Sequence, residues 1–197
     1  MKIYKMLIHI VLSVGCFLGT ISASRGQGGD QILDGIGETE MIARYLFKDD
    51  LKDWSRNNLH ATHGAQPKFV NDKRFGKVLS LSGGNSDFVM IPGAALADME
   101  SLSISGWIFL RSNKANQRFF DFGRNSEAHF TVAPLGITGQ PGYHALITAG
   151  GGTEKAAVAP AIALNKWVYL TIVVDMPSRA LITYLDGVLA KLRGRHT

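Results

Sequence analysis

The chain has 197 residues, with 21 lysines and arginines against 16 acidic residues, and one cysteine, Cys16. This length suits a single domain with a sizeable core, and a lone cysteine excludes an intramolecular disulfide, so stability must come from packing. The formal net charge of +5 is mild, and no basic stripe is interleaved with aromatic residues, which argues against nucleic-acid binding.

The first residues are typical of a secretory signal peptide. Lys2 and Lys5 precede an apolar run from Met6 to Leu18, and Ala23 offers a small residue at a candidate cleavage site. The apolar run is shorter than the roughly 20 residues that a membrane-spanning helix needs, and no longer run follows. We therefore predict a signal peptide over 1–23 and a secreted or cell-surface protein without a transmembrane span.

An alternative places a lipid anchor on Cys16, since Gly15 directly precedes it. Ser13 stands where such sites usually carry leucine, and this departure favours the simple signal peptide. Residues 24–39 are rich in glycine and polar side chains without a period, which predicts a flexible leader. The rest of the chain, 40–197, is predicted to form one domain.

From residue 40 onward, short alternating segments bounded by glycine, proline, asparagine or aspartate predict an all-β fold. A first strand is expected at Ile42–Phe47, and the polar stretch Lys48–Gly64 is expected to be a loop. Ala94–Met99 predicts about one helical turn. Further strands are predicted at Val78–Leu81, Phe88–Ile91, Ser101–Leu110, Arg118–Phe122, His129–Ala133 and Tyr143–Thr148.

The end of the chain gives the clearest pattern. Trp167–Val174 alternates with a period of two, Met176–Arg179 breaks the run, and Leu181–Leu185 alternates again. Asp186-Gly187 is a pair that tolerates the left-handed backbone of a tight hairpin turn. Val188–Leu192 is then a third strand in need of a partner, so the sequence favours a fold whose last strands are missing.

Seven short pieces stand in a characteristic order between Ile42 and Leu189. They are Asp53–Asn58, Phe75–Leu81, Asp87–Pro92, Leu102–Ile108, Phe119–Gly123, Trp167–Leu170 and Tyr184–Val188. In this order the chain resembles the laminin-G-like, concanavalin A-like jelly-roll family, specifically the LamG-like modules of secreted bacterial polysaccharide-degrading enzymes. The resemblance implies a sandwich of two antiparallel sheets, glycan binding and a fused catalytic domain.

The chain departs from that family in two places. Arg56 stands where the family usually has a turn glycine, and the closing strands, which in the family carry another acidic pair, are absent. The resemblance therefore implies a jelly-roll domain that lacks its last strands.

The acidic residues argue against catalysis by this chain. Sugar hydrolysis needs two carboxyl groups about 5–9 Å apart across the scissile bond. The glutamates stand outside the domain, at segment edges or in loops, and none is paired on a strand: Glu38, Glu40, Glu100, Glu127 and Glu154. The Glu-x-Asp-x-x-Glu spacing of laminarinase-type jelly rolls is also absent, so we predict a non-catalytic chain.

Calcium is the candidate cofactor, because it prefers clustered carboxylate, amide and carbonyl oxygens. Five side chains in two loops offer such oxygens if the loops meet: Asp50, Asp53, Asn57, Asn85 and Asp87. The favoured alternative is that these side chains cap turns, as Asp and Asn commonly do. His60 and His63 are candidate zinc ligands, but no cysteine or second histidine pair lies near them in the sequence, which favours two solvated loop residues.

Aromatic side chains are the candidate sugar ligands, since a sugar ring stacks its C–H face on a flat aromatic face. Within Ser101–Arg111, Trp107 lies opposite the aliphatic side chains, and Tyr169 does the same in its own strand. If the aliphatic faces form the core, both aromatics lie on the outer face of a sheet. The favoured alternative is a β-bulge at Gly106 that turns Trp107 into the core, since large aromatic side chains in small domains are mostly buried. Trp54, beside the acidic loop, is a third candidate.

Arg118 and Asp121 flank two phenylalanines and form either a ligand-facing pair or a plain surface ion pair. The candidate ligand-binding residues are thus Trp54, Trp107, Arg118, Asp121 and Tyr169.

The function that these patterns favour is a non-catalytic carbohydrate-binding module of a secreted or cell-surface polysaccharide-degrading protein. The alternative is a structural spacer that packs on a catalytic domain and binds no sugar. The two differ in the surface they require: an exposed aromatic beside Asp or Asn in a groove for binding, and a broad apolar patch for packing.

Overall fold

The computed structural model describes residues 4–9, 40–96, 99–123, 128–136, 141–149 and 155–193, with 4–9 described by their backbone. In chain order the strands are β1 Tyr4–His9, β2 Thr62–His63, β3 Lys68–Asp72, β4 Gly76–Ser80, β5 Val89–Met90, β6 Ser101–Leu110, β7 Phe120–Gly123, β8 Ala128–Ala133, β9 Tyr143–Ala149, β10 Lys155–Ala159, β11 Trp167–Asp175, β12 Ala180–Leu185 and β13 Val188–Arg193. One 3₁₀ turn, Gly93–Leu96, follows β5.

The strands form two main sheets. One has five strands in the order β1-β6-β11-β12-β13, the other has four in the order β10-β9-β8-β7, and β2–β5 and β3–β4 form two small pairs. Every pairing of these strands is antiparallel. The predicted all-β, two-sheet antiparallel sandwich is therefore confirmed.

The core lies between the inner faces of the two main sheets. Burial alternates residue by residue along β11, as the period of two predicts. The five-stranded sheet contributes aliphatic side chains, including Ile104, Ile108, Val168, Leu170 and Ile172. The four-stranded sheet contributes both aromatic and small aliphatic side chains, including Phe130, Val132, Tyr143, Ala145 and Ala157. Because these residues form one continuous cluster, the domain has a single core.

Most predicted strands agree with the structure, but the first one does not. Ile42–Phe47 forms no strand; Arg44 and Tyr45 form isolated bridges, the latter with Asp53, and Phe47 takes a left-handed backbone with φ 50°. Apolar side chains of this segment still pack in the core, so its apolar pattern indicated burial and did not indicate strand pairing. The pattern also missed β2, which lies within the predicted loop Lys48–Gly64, β3, which carries polar ends, and β10, which is rich in alanine.

The tight turn predicted between the last two strands is confirmed. Asp186 has φ 51° and Gly187 has φ 79°, both in the left-handed region that such hairpin turns require. The Asp186 carboxylate also accepts a hydrogen bond from the Tyr169 amide at 2.8 Å. The turn residue therefore fastens the β12–β13 hairpin to β11 as well as reversing the chain.

Strand β1 lies within the predicted signal peptide. It pairs with β6 from Tyr4 opposite Leu110 to His9 opposite Ser105. In the part of the chain that the structure describes, no helix has the length and apolarity to cross a membrane. Removal of residues 1–23 would remove β1 and leave this edge of β6 without its β1 partner. Cleavage of the N-terminus therefore determines whether β6 is an edge strand.

We expect export to remove residues 1–23, because their charge and apolar pattern are those of a signal peptide. The intact mass and N-terminal sequence of the exported protein should give a chain that starts at Ser24. A start at a lipid-modified Cys16 would support the anchor instead, and a mature protein that retains Met1 would contradict both and keep β1 in the sheet.

Candidate functional site

A buried carboxylate organises the loop that follows Tyr45. Asp53 Oδ1 accepts hydrogen bonds from the backbone amides of Arg44 and Ser55, both at 2.8 Å. Asp53 Oδ2 accepts one from the Ser55 hydroxyl at 2.7 Å and one from the Leu59 amide at 2.9 Å. A carboxylate has about four acceptor sites, so the loop uses the full capacity of Asp53.

These hydrogen bonds change the acidity of Asp53. Burial alone would raise the pKa of its carboxyl group, but the hydrogen bonds from Arg44, Ser55 and Leu59 together lower the pKa below its usual value. The negative charge of Asp53 and, more strongly, burial raise the pKa of nearby Tyr45 to about 12. Asp53 is therefore ionised and Tyr45 is neutral near pH 7.

Two side chains connect the same loop to the segment before Tyr45. Asn57 Nδ2 donates to the carbonyl oxygens of Met41 at 3.0 Å and Ile42 at 2.8 Å, and the Ser55 hydroxyl donates to the Ile42 carbonyl oxygen at 3.2 Å. Within the loop, the Asp53 amide donates to His60 Nδ1 at 3.1 Å. The loop is thus fixed at several points, although it contains little regular secondary structure.

Trp54 projects from this fixed loop. Asp53 is 5% exposed and Trp54 is 54% exposed, so adjacent side chains point to the interior and to solvent. A cleft of about 400 Å³ lies beside the residues that follow Trp54, and it is lined by Glu40, Met41, Ile42, Ser55, Arg56, Asn57 and Met99. Trp54 itself does not line this cleft, so the loop carries an exposed indole and a cleft with polar side chains as adjoining features along the chain.

The outer face of the five-stranded sheet carries a second group of aromatics. Trp107 lies directly opposite Tyr169, and Phe109 lies opposite Trp167. The ring centroids are 5.1 Å apart in the first pair and 5.4 Å apart in the second. All four side chains are partly exposed. The register of β6 with β11 is unbroken across Gly106, so the proposed bulge there is wrong and Trp107 faces outward.

The turn between β3 and β4 lies over these aromatics. Phe75 packs its ring 5.3 Å from Trp107 and 4.8 Å from Trp167, centroid to centroid. The Arg74 guanidinium lies 4.0 Å from the centroid of Trp107. We call Arg74, Phe75, Trp107, Trp167 and Tyr169 the aromatic face. Its turn residues, Arg74 and Phe75, were not predicted from the sequence because β3 was not predicted. Asp72-x-x-x-Gly76 is nevertheless a pattern typical of a turn.

Arg118 and Asp121 are brought together by the start of β7. Their Nε and Oδ2 atoms are 2.9 Å apart, and both side chains are exposed by more than a third. They belong to the four-stranded sheet, whereas Trp107 and Tyr169 belong to the five-stranded sheet. The five candidate ligand residues thus fall into three groups: Trp54 alone, Trp107 with Tyr169, and Arg118 with Asp121.

The structure shows no arrangement of the five candidate calcium ligands that indicates a metal site among the described residues. Asp50 accepts from the Lys52 amide at 3.2 Å, and Asp87 accepts from the Ser82 amide. Asn85 is exposed. Within the described ranges, no group of three or more His, Cys, Asp or Glu residues is placed to hold a metal ion. Calcium binding stays a prediction, and at Asp53 it would have to displace hydrogen bonds of the loop.

Comparison with known proteins gives a family and related solved structures. The Laminin_G_3 model, described as the concanavalin A-like lectin/glucanases superfamily, matches residues 83–195, which is more than half of the chain. Domain 4 of AbnA, a GH43 extracellular arabinanase from Geobacillus stearothermophilus in complex with arabinotriose, is 19% identical with a TM-score of 0.60 and covers 78% of this chain and 74% of its own. At this identity the likeness shows the fold alone. No curated protein matches the chain.

We expect the Asp53→Asn substitution to destabilise the domain by about 1.5–3 kcal/mol, because an amide cannot accept four hydrogen bonds at this buried position. The pKa of Asp53 is lowered by folding, so its contribution is present above the unfolded pKa and is lost as the pH falls through the folded one. Urea unfolding should therefore show a difference from wild type that is constant at neutral pH and shrinks as the pH falls below the unfolded value of about 3.9.

The control for this substitution is Asp50→Asn. Asp50 accepts a single amide hydrogen bond at 3.2 Å, so the variant should lose less than about 1 kcal/mol. An Asp53→Asn protein as stable as wild type at neutral pH would contradict the organising role of this carboxylate.

If calcium binds the loops, it should raise the melting temperature of the wild-type protein relative to the same protein in a chelator, because a ligand that binds the folded state stabilises it. Differential scanning calorimetry with added calcium chloride measures this shift. The Asn85→Ala and Asp87→Ala variants should lose the shift without unfolding. An unchanged melting temperature at millimolar calcium would reject the site.

Proposed function

Because the chain belongs to the concanavalin A-like lectin/glucanases superfamily, we propose that it is a non-catalytic carbohydrate-binding module of an exported polysaccharide-degrading protein. The observation that carries the proposal is Trp54, which is more than half exposed on a loop that hydrogen bonds hold in place. A fixed indole is a favourable sugar platform because little conformational entropy is lost when the ligand stacks on it.

The cleft beside Trp54 supplies the polar part of the proposed site. Its lining includes Glu40, Arg56 and Asn57, whose side chains carry hydrogen-bonding groups suited to sugar hydroxyls. Asn57 uses its amide nitrogen within the protein, which leaves its carbonyl oxygen for a ligand hydroxyl. We propose that the sugar ring stacks on Trp54 while its hydroxyl rim contacts these groups.

The proposal of binding without catalysis rests on the acidic residues. Of the five glutamates, the structure describes Glu40 and Glu100, and neither lies within a strand. The buried Asp53 carboxylate is ionised and has its acceptor sites filled by the loop, so it is poorly placed to exchange protons with a substrate. The hydrolysis would then belong to a catalytic domain fused to this module.

The spacer hypothesis receives less support from the surface. It requires one broad apolar patch. Among the residues whose side chains the structure describes, the large exposed apolar ones lie on several elements: Trp54, Phe88, Met90, Val158, Leu164, Met176, Val188 and Leu189. Val188 and Leu189 adjoin at the start of β13, but two residues supply much less area than a domain contact normally buries.

The Trp54→Ala substitution should weaken sugar binding at least about tenfold, because loss of a central aromatic anchor typically costs more than 1 kcal/mol of binding energy. Isothermal titration with arabino-oligosaccharides is the first measurement, since the related domain was solved with arabinotriose. A panel of other neutral oligosaccharides follows if these do not bind.

The control for Trp54 is Phe88→Ala, which removes another exposed aromatic side chain from a different loop. It should leave the affinity unchanged. Equal affinity of the wild-type and Trp54→Ala proteins for the sugar would contradict the assignment of the site to Trp54. A folded wild-type protein that binds no oligosaccharide of the panel would favour the spacer hypothesis.

A further inference from the structure

The aromatic face combines stacked rings with a cation that is held in one place. Asp72 Oδ1 accepts hydrogen bonds from the amides of Arg74 at 2.9 Å and Phe75 at 3.2 Å. Asp72 Oδ2 accepts one from Trp167 Nε1 at 3.1 Å. One carboxylate thus shapes the β3–β4 turn and fastens it to the sheet, which sets the position of Arg74.

The guanidinium of Arg74 is held by rings and not by a carboxylate. It lies 4.0 Å from the Trp107 centroid and 4.9 Å from the Phe75 centroid. Three of the other exposed cations of the described chain pair with acids: Lys77 with Asp49, Arg118 with Asp121 and Lys166 with Asp186. Arg74 has no such ion pair among the described residues, so its charge is available to a ligand.

The surroundings of Arg74 favour an anion. The β3–β4 hairpin, Lys68–Ser80, contains four basic residues and one acid, and that acid, Asp72, is engaged by the turn and by Trp167. Lys73 and Arg74 are both exposed at its tip. Tyr169 donates its hydroxyl to Ser105 at 2.9 Å, which fixes its partly exposed ring beside Trp107, the ring over which Arg74 lies.

From this arrangement we infer that the aromatic face is a second glycan site, specific for sugars that carry an anionic group. The sugar ring stacks on Tyr169 and Phe75, and its carboxylate or sulfate pairs with Arg74, whose planar guanidinium can bind two oxygens of such a group at once. The site is separate from the Trp54 cleft and takes a different class of ligand.

The experiment is isothermal titration of the full chain with three oligosaccharides: oligogalacturonate, which carries carboxylates, an oligocarrageenan, which carries sulfates, and a neutral arabino-oligosaccharide. We expect binding of an acidic oligosaccharide that weakens as salt is added. Arg74→Ala should weaken it about tenfold or more, since loss of a charge-assisted contact costs over 1.4 kcal/mol.

The matched control is Lys73→Ala, which removes the same charge from the next residue of the same turn and should change the affinity less than about threefold. Equal losses in the two variants would mean unspecific attraction to a basic hairpin and would overturn the site. Failure of wild type to bind either acidic ligand would also overturn it. Circular dichroism of both variants checks that the fold is retained.

The outcomes separate the two sites. Trp54→Ala should leave acidic binding unchanged, and Arg74→Ala should leave neutral binding unchanged. Neutral binding that depends on Trp54, together with no acidic binding, would reject the second site and keep the proposed function. The reverse result would place recognition on the aromatic face and reject the Trp54 cleft. If carboxylate and sulfate ligands differ, the better one identifies the anion.

Discussion

The pairing of β6 with β11 is the constraint on which the rest of the structure depends. It runs without interruption from Trp167 opposite Phe109 to Asp175 opposite Ser101. Because side chains alternate between the faces of a strand, this one register places Ile104, Ile108 and their neighbours in the core and the aromatic residues outside. A shift of one residue would exchange the two faces, so the core and the aromatic face are fixed together.

Two carboxylates then decide where the loop after Tyr45 and the β3–β4 turn lie. Asp53, which is buried, and Asp72, which is partly exposed, each accept hydrogen bonds from backbone amides and one from a side chain, Ser55 or Trp167. Hydrogen bonds to a charged acceptor are stronger than neutral ones. The side chains next to these anchors, Trp54 and Arg74, are consequently presented at fixed positions without needing a strand of their own.

The same acids explain why an acidic loop is ambiguous in a sequence. Asp and Asn provide the oxygens that calcium prefers, and they provide equally well the acceptors that a turn needs. The choice depends on whether amide groups or other oxygens surround each carboxylate, and this is a matter of three-dimensional neighbours. At Asp53 backbone amides and a serine hydroxyl fill the available positions, which a list of residues in order does not reveal.

The sequence by itself determined the fold class and most strands, because alternation and turn residues act over a few neighbours in the chain. It left the direction of Trp107 open, and the unbroken register of β6 with β11 decided that this side chain faces outward. It failed at Ile42–Phe47, where burial occurs without strand pairing, and at β3 and β10, whose composition is weakly strand-like. Tertiary structure alone decided the separation of the candidate ligand residues into three groups and the placement of Arg74 on Trp107. Such contacts join segments more than 30 residues apart, and no local pattern encodes them.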